Sequence, residues 1–168
     1  MDILISNIVK FFNDKKNNLK DHLNKTENNL LNEIQFESEL NLEKDSLNGA
    51  ALFGYGSLKP DYHPKKDKNI IIEVKYIRIK TTENGNHYNE CDIKNALSQI
   101  IEQAVCKKAR NAILLILDAG RAREREWNAM EGKFISMFQQ NPFNINLKVV
   151  RIRILEDGKK IDIKTEII

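Results

Sequence analysis

The stretch GYGSLKPDYHPKKDKNIIIEVKYIRI, residues 54–79, determines how the rest of the chain is interpreted. It contains an apolar run, 70–77, whose β-branched residues are typical of a buried central strand. Glu73 and Lys75 interrupt this run two residues apart, and the period of a strand places both side chains on one face. Burying two charged groups is costly unless they pair or hold a metal ion. With Asp61 arriving from the preceding strand, the three residues predict a metal site with a cation beside it.

The spacing of these residues resembles the active-site motif of the PD-(D/E)xK nuclease superfamily. Pro60-Asp61 is followed, after eleven residues, by Glu73-x-Lys75. The resemblance implies a Mg²⁺-dependent phosphodiesterase, with Mn²⁺ as a substitute, in which Asp61, Glu73 and the backbone carbonyl of Val74 hold the metal ion. It also implies that Lys75 positions the attacking water and stabilises the developing oxyanion. The alternative is a Glu-Lys pair exposed on an edge strand.

A carboxylate on an apolar helix face is a further candidate for the site. The pattern of leucines predicts a helix over about 19–32, and Glu27 falls on its apolar face. The string ENNLLNEI, 27–34, looks like the corresponding helix of Holliday junction resolvases, which implies that Glu27 is an accessory acid of the site. The alternative is a Glu27 side chain that reaches solvent. The rival acids that stay open are Glu33, Glu37 and Glu39.

A glutamine on the helix after the central strand is the last candidate. The string ALSQI, 96–100, is similar to the A-L-x-Q-I found after the catalytic strand in nuclease domains that accompany AAA-type ATPase proteins. The GYG of residues 54–56 resembles the glycine-tyrosine-glycine element of the same domains. This resemblance implies that Gln99 forms hydrogen bonds near the active site or the DNA, whereas the alternative is a solvated glutamine. The sequence has no phosphate-binding loop of the GxxxxGK[ST] type, so we expect no ATPase activity.

The periodicity of apolar residues predicts an α/β protein. A helix, three strands, a helix and a strand follow one another, and this αβββαβ order resembles the restriction-endonuclease-like core, a mixed central sheet flanked by helices, over about 20–120. An extra N-terminal helix precedes it, a C-terminal helix and a β-hairpin around Asp157-Gly158 follow it, and residues 80–90 are predicted to be a surface loop. The predicted strands are 34–42, 51–61, 70–77, 112–117, 149–155 and 161–167, and the predicted helices are 3–12, 19–32, one from Asp92 and one from Arg121.

Length and composition favour a single nuclease-like domain, 1–168, in the cytoplasm. A chain of 168 residues with 41% hydrophobic residues is long enough for one buried core. No apolar run has the length of a membrane span, and Cys91 and Cys106 lack metal-binding spacing, which is typical of free thiols in a reducing compartment. The net charge of +3 permits DNA as the partner, with RNA as the open alternative.

Two surfaces are predicted at the ends of the chain. In the helix over 3–12, an apolar stripe that includes Phe12 predicts a homodimer contact, because such a patch would otherwise be exposed. The alternative is that this helix packs on its own sheet. In the C-terminal hairpin the basic residues are expected to point away from the core, as a solvated face or a surface that tracks phosphates. These residues are Arg151, Arg153, Lys160 and Lys164.

Overall fold

The computed structural model describes residues 1–23, 25–44, 61–77, 80–82, 85–87, 90–119, 132, 144–157 and 160–167. The helices are α1 (Asp2–Leu19), a 3₁₀ helix (Lys20–His22), α2 (Glu27–Glu33), α3 (Phe36–Glu39) and α4 (Glu90–Lys107). The strands are β1 (Leu42–Lys44), β2 (Tyr62–Pro64), β3 (Ile70–Ile77), β4 (Lys80–Thr82), β5 (Gly85–His87), β6 (Asn111–Asp118), β7 (Asn146–Asp157) and β8 (Lys160–Ile167).

A six-stranded mixed sheet in the order β1-β2-β3-β6-β7-β8 is the centre of the fold. Strands β1, β2 and β3 are antiparallel, β3, β6 and β7 are parallel, and β8 returns antiparallel to β7. Helix α4 connects the parallel strands β3 and β6. The first five residues of β3, 70–74, and seven of the eight residues of β6 are buried, as the continuous apolar runs of both strands predict. The predicted α/β class is therefore confirmed.

Both faces of the sheet are covered by helices. On one face, the α1 face, Ile72, Val74 and Leu115 join the apolar residues of α1, α2 and α3 in one core. On the other, the α4 face, Ile71 and Leu114 pack against the apolar stripe of α4. Because side chains alternate along a strand, Glu73 and Lys75 share the α4 face with Ile71.

Helix α1 uses its apolar stripe inside the chain. Ile8 and Phe12 are fully buried, and the ring of Phe36 lies 5.6 Å from that of Phe11 and 5.4 Å from that of Tyr62. The helix also continues through 13–18, where the sequence indicates only a polar break or a solvated turn. The stripe proposed for a homodimer contact thus covers the protein's own sheet, and the oligomeric state itself remains a prediction.

Three sequence predictions about local structure are wrong. The segment 34–42 forms α3 and then β1, because Gln35 adopts a left-handed conformation (φ 59°) that turns both Ile34 and Phe36 into the core. The helix predicted over 19–32 is divided, since Leu19 closes α1 and α2 begins only at Glu27. The loop predicted over 80–90 contains the hairpin β4–β5.

The prediction that the basic residues of the hairpin point away from the core is wrong for Arg151. Arg151 is 0% exposed, and its Nε and Nη2 atoms donate to Oδ2 of Asp118 at 3.0 and 2.6 Å. Its Nη1 atom donates to Oε2 of Glu166 at 2.9 Å, and Arg153 and Lys164 lie within 3.5 Å of the same carboxylate. These five residues, called the Arg151 cluster below, form an ion network on the α4 face in which Arg151 and Asp118 are buried.

Several predictions fall outside the described residues. They concern residues 51–60 of the strand predicted over 51–61, with the GYG element, the helix that begins at Arg121 and the turn at Gly158. The last residue of that predicted strand, Asp61, lies in a bend directly before β2. None of the helices in the described part of the chain is long and apolar enough to cross a membrane.

Candidate active site at the edge of the central strand

Two carboxylates occupy the edge of β3 where a neighbouring strand would otherwise pair. Within the described residues, β2 pairs with β3 only at Tyr62 and Ile72. Backbone groups alternate in direction along a strand, so Val74 and Tyr76 turn their N–H groups toward the same edge as Ile72. Oδ2 of Asp61 accepts the N–H of Val74 at 2.8 Å, and Oε2 of Glu27 accepts the N–H of Tyr76 at 2.7 Å.

These hydrogen bonds hold the two acids at consecutive backbone positions on one edge. A strand residue directs its N–H and C=O to the same side, so the carbonyl of Val74 lies on the edge that Asp61 and Glu27 flank. The hydroxyl of Tyr76 also donates to the backbone carbonyl of Leu23 at 2.6 Å and so anchors the segment before α2. The edge therefore presents oxygen atoms from two side chains and from the main chain.

Glu73 lies beside this edge, almost completely enclosed. It is 1% exposed, and its Oε1 atom accepts a hydrogen bond from Nζ of Lys75 at 2.6 Å. Its Oε2 atom accepts one from Nε2 of the buried Gln103 at 3.1 Å. Lys75 keeps a quarter of its side chain exposed, whereas the side chain of Glu73 is almost completely buried.

The carboxyl groups of the site all have raised pKa values. Burial, followed by the negative charge of Asp61, raises the pKa of Glu27 to about 7 and that of Glu73 to about 6. Burial also raises the pKa of Asp61, although the N–H of Val74 and the charges of Lys75 and Lys44 oppose this effect. Burial is the largest cause of each shift, and the three carboxylates also outnumber the two nearby cations, Lys75 and Lys44.

Lys75 stays protonated in this environment. Burial alone would lower the pKa of its ammonium group, but the charges of Glu73, Asp61 and Glu27 outweigh burial and raise the pKa above the ordinary value. A lysine with a raised pKa is a poor general base at neutral pH. It is instead a fixed positive charge that can stabilise an anion.

The donor set suits a hard divalent cation. Mg²⁺ prefers oxygen ligands and is commonly held by one or two carboxylates while it keeps several waters. Asp61, Glu73 and the carbonyl of Val74 offer such a set, and an added cation would offset the excess negative charge. Among the described residues no group of three or more His, Cys, Asp or Glu is arranged to hold a metal ion, so waters would have to complete the coordination.

The structure distinguishes among the acids that the sequence left open. Glu27 joins Asp61, Glu73 and Lys75 electrostatically. By contrast, Glu33 pairs with Lys25, and Glu39 pairs with Lys15. Glu37 is half-buried, and its negative charge adds to the effect of burial in raising the pKa of the Tyr62 hydroxyl.

The glutamine that forms a hydrogen bond with the site is Gln103, whereas the sequence similarity suggested Gln99. Gln103 lies one helical turn beyond Gln99 and donates to Glu73, whereas Gln99 is half-buried on the same helix. A signal for Gln103 was present in the sequence. It occupies the position seven residues after Ala96, on the buried stripe of α4, where a polar side chain needs a partner.

Comparisons with known proteins identify no relative of this chain. No family model, no curated protein and no solved structure matches it.

Proposed function

We propose that the protein is a metal-dependent nuclease of the PD-(D/E)xK superfamily that hydrolyses phosphodiester bonds of DNA in the cytoplasm. The observation that carries this proposal is the convergence of Asp61, Glu73 and Lys75 at the edge of β3, with Glu27 added to them. Four ionisable groups from three separate segments meet at one strand, with carboxylates in excess. Strongly perturbed, interacting groups of this kind are characteristic of functional sites.

The topology supports the same proposal. The segment that carries Asp61 leads into a strand antiparallel to β3, and α4 then leads to β6, which is parallel to β3. This is the part of the αβββαβ order that lies within the described residues, and it is compatible with a restriction-endonuclease-like core. The first predicted strand of that order is replaced by α3 and the three-residue β1.

The metal ion in this proposal is Mg²⁺, with Mn²⁺ as a substitute, held by Asp61, Glu73 and the carbonyl of Val74. When bound, it would lower the pKa of a water molecule and neutralise charge on the phosphate. Glu27 contributes a further carboxylate beside the ligands. Its bond to the N–H of Tyr76 fixes one oxygen and orients the carboxyl group along the strand edge.

Lys75 and Gln103 act on the reacting groups in different ways. The charged Lys75 ammonium orients the attacking water and stabilises negative charge on the phosphate in the transition state. Gln103 is a positioning residue, because it holds one oxygen of Glu73 and restrains the carboxylate plane. A fixed carboxylate loses less entropy when it takes its place around an ion.

A cleavage assay with a matched control tests the proposal. Plasmid and single-stranded DNA, with RNA in parallel, are incubated with the protein and Mg²⁺ or EDTA. We expect cleavage only with the metal ion, loss of cleavage in Asp61→Asn and Lys75→Met, and unchanged cleavage in Glu43→Gln, which removes an exposed carboxylate on β1. Absence of cleavage of every substrate by the wild-type protein with Mg²⁺ and with Mn²⁺ would contradict the proposal.

One observation favours a second candidate, a catalytically silent module that binds nucleic acid or protein. Both oxygens of Glu73 and one oxygen each of Asp61 and Glu27 already accept hydrogen bonds inside the chain. A cluster that only supports the fold would use its carboxylates in this way. Binding of DNA in EDTA without cleavage in Mg²⁺ would favour this candidate.

A further inference from the structure

Strand β8 is the last strand of the sheet, and its outer edge has no partner strand within the described residues. The directions of the backbone groups show which residues face that edge. The N–H of Asn146 donates toward β6, so the even-numbered residues of β7 face β6 and the odd-numbered ones face β8. Arg151 pairs with Glu166, and the odd-numbered residues of β8 therefore turn their N–H and C=O groups outward.

Ile163 marks the middle of this edge. Its N–H donates to Oδ1 of Asp162 at 3.0 Å in a solvent-exposed bond, as an outward N–H without a strand partner would. Ile167, at the end of the same strand, is 52% exposed although it belongs to the α1 face, whose other members are mainly buried. The edge thus combines main-chain groups that have no strand partner among the described residues with exposed apolar surface.

The charges on β8 alternate in sign. Asp162 is exposed, and Lys164 is 59% exposed, next to the like-charged Arg153 on β7. Lysine and aspartate on an edge commonly prevent pairing with other chains. Here, however, the alternation is self-complementary. An antiparallel copy centred on Ile163 sets Asp162 opposite the partner's Lys164, twice by symmetry.

We propose that two copies of this chain associate through β8 as an antiparallel, isologous pair with the two-fold axis at Ile163. Ile163 faces outward, so in this register it exchanges both of its backbone hydrogen bonds with its counterpart. Ile167 then lies diagonal to the partner's Ile161, within reach of apolar contact. The bond from Ile163 to Asp162 is exchanged for a main-chain bond, which releases the carboxylate to pair with lysine.

The two registers that are shifted by one residue are disfavoured by charge. A two-fold axis at Asp162 or at Lys164 sets that residue against its own copy, and like charges directly opposite each other destabilise a strand pair. In the proposed register the two β3 strands are seven strand spacings apart, about 34 Å. The candidate sites then lie far from the contact, so the association does not depend on what the sites do.

Charge reversal tests the proposal directly. Sedimentation velocity at high micromolar concentration should give the wild-type protein twice the monomer mass of 19.5 kDa. Residues 162 and 164 of both copies meet at the contact, so Asp162→Lys places four lysines there and Lys164→Asp places four aspartates. Each change should weaken association about tenfold or more at low salt. An equimolar mixture of the two variants should recover the dimer, because each chain then meets the opposite charge.

The double variant Asp162→Lys with Lys164→Asp should also dimerise, and Lys66→Asp, in the exposed turn after β2, should behave as wild type. Thermal unfolding of each variant checks whether the fold is intact. A wild-type mass of 19.5 kDa at every concentration would overturn the proposal. So would single variants that dimerise like the wild type, or a mixture that stays monomeric.

Discussion

Two clusters of charged residues lie on the same sheet, and they differ in the balance of charge. Cations outnumber carboxylates in one cluster, and carboxylates outnumber cations in the other. In the Arg151 cluster three cations, Arg151, Arg153 and Lys164, surround two carboxylates. Burial by itself would raise the pKa of Glu166, but its hydrogen bond to Arg151 and the nearby cations lower it. At the edge of β3, three carboxylates share Lys75, and their pKa values are raised.

The difference separates a structural ion network from a site that is ready to accept a cation. A guanidinium group with matched carboxylates has satisfied its hydrogen bonds and needs nothing further. A carboxylate cluster with one ammonium group has unbalanced charge, which protonation or a bound cation would relieve. Substitutions in the two clusters should therefore have different effects on activity and on stability.

The largest effect is expected for Glu73→Ala in the cleavage assay. The variant removes a proposed ligand, and the loss of several kcal/mol of transition-state stabilisation lowers the rate at least about a thousandfold. Loss of a buried carboxylate from a crowded cluster should leave the fold intact and can stabilise the metal-free protein. Cleavage rates at matched Mg²⁺ and urea unfolding check both parts, and a variant that cleaves as fast as wild type contradicts the assignment.

For the Arg151 cluster we expect a large effect on stability instead. Arg151→Met leaves Asp118 buried without its main partner, and this should lower the free energy of unfolding by about 3–5 kcal/mol. Arg153→Met is the matched control. Because Arg153 is partly exposed, this substitution should lower the free energy of unfolding by less than about 1 kcal/mol. Urea unfolding measures both variants. If the two lose equal stability, the ion network is not the structural element described here.

The pH dependence of stability should differ in sign between the clusters. Glu27 has an ordinary pKa of 4.5 and a folded pKa of about 7. Its contribution to the free energy of unfolding is therefore fully present below pH 4.5 and is lost as pH rises through 7, in total roughly 2–3 kcal/mol. Glu166 behaves oppositely, since its pKa is lowered, and stability is lost as pH falls through its folded pKa.

Metal-free unfolding experiments that extend from pH 8 to well below pH 4.5, the ordinary pKa of a glutamate, can separate these effects. We expect Glu27→Gln to flatten the loss of stability toward neutral pH, and Glu43→Gln to leave it unchanged. Glu166→Gln should alter only the acidic side of the profile. A wild-type profile that rises steadily from pH 5 to pH 8 would show that the site is not short of positive charge.

The smallest effect is the stabilisation of the folded protein by metal ions. At ten times its dissociation constant, Mg²⁺ should raise the free energy of unfolding by about 1.4 kcal/mol, and EDTA should remove this gain. Asp61→Asn should abolish the response, whereas Arg153→Met should retain it. If Asp61→Asn responds like the wild type, the ion binds elsewhere.

Local pattern was sufficient for the strands and the helix that support the site. The apolar runs of β3 and β6 are buried on both sides of the sheet, and the stripe of α4 lies along one helix face, so period and composition identify each of them. The relation of Glu73 to Lys75 is equally local, because two residues along a strand always share a face.

Features that depend on contacts between residues distant in sequence were decided by the tertiary structure. The period of 34–42 suggests a strand, yet the left-handed Gln35 allows α3 to bury Phe36 among aromatic rings that come from α1 and β2. Arg151 looks like a surface residue in its strand, and its hydrogen bonds to Asp118 and Glu166 explain its burial.

The same division runs through the site itself. The sequence alone determined that Asp61, Glu73 and Lys75 belong to one strand and the segment before it. Only the folded chain placed Glu27 on the N–H of Tyr76, 49 residues away, and selected Gln103 rather than Gln99 for Glu73. The physical reason is that a strand's period operates over neighbouring residues. A buried hydrogen bond requires a partner at the right point in space, and packing of the whole chain decides which residue arrives there.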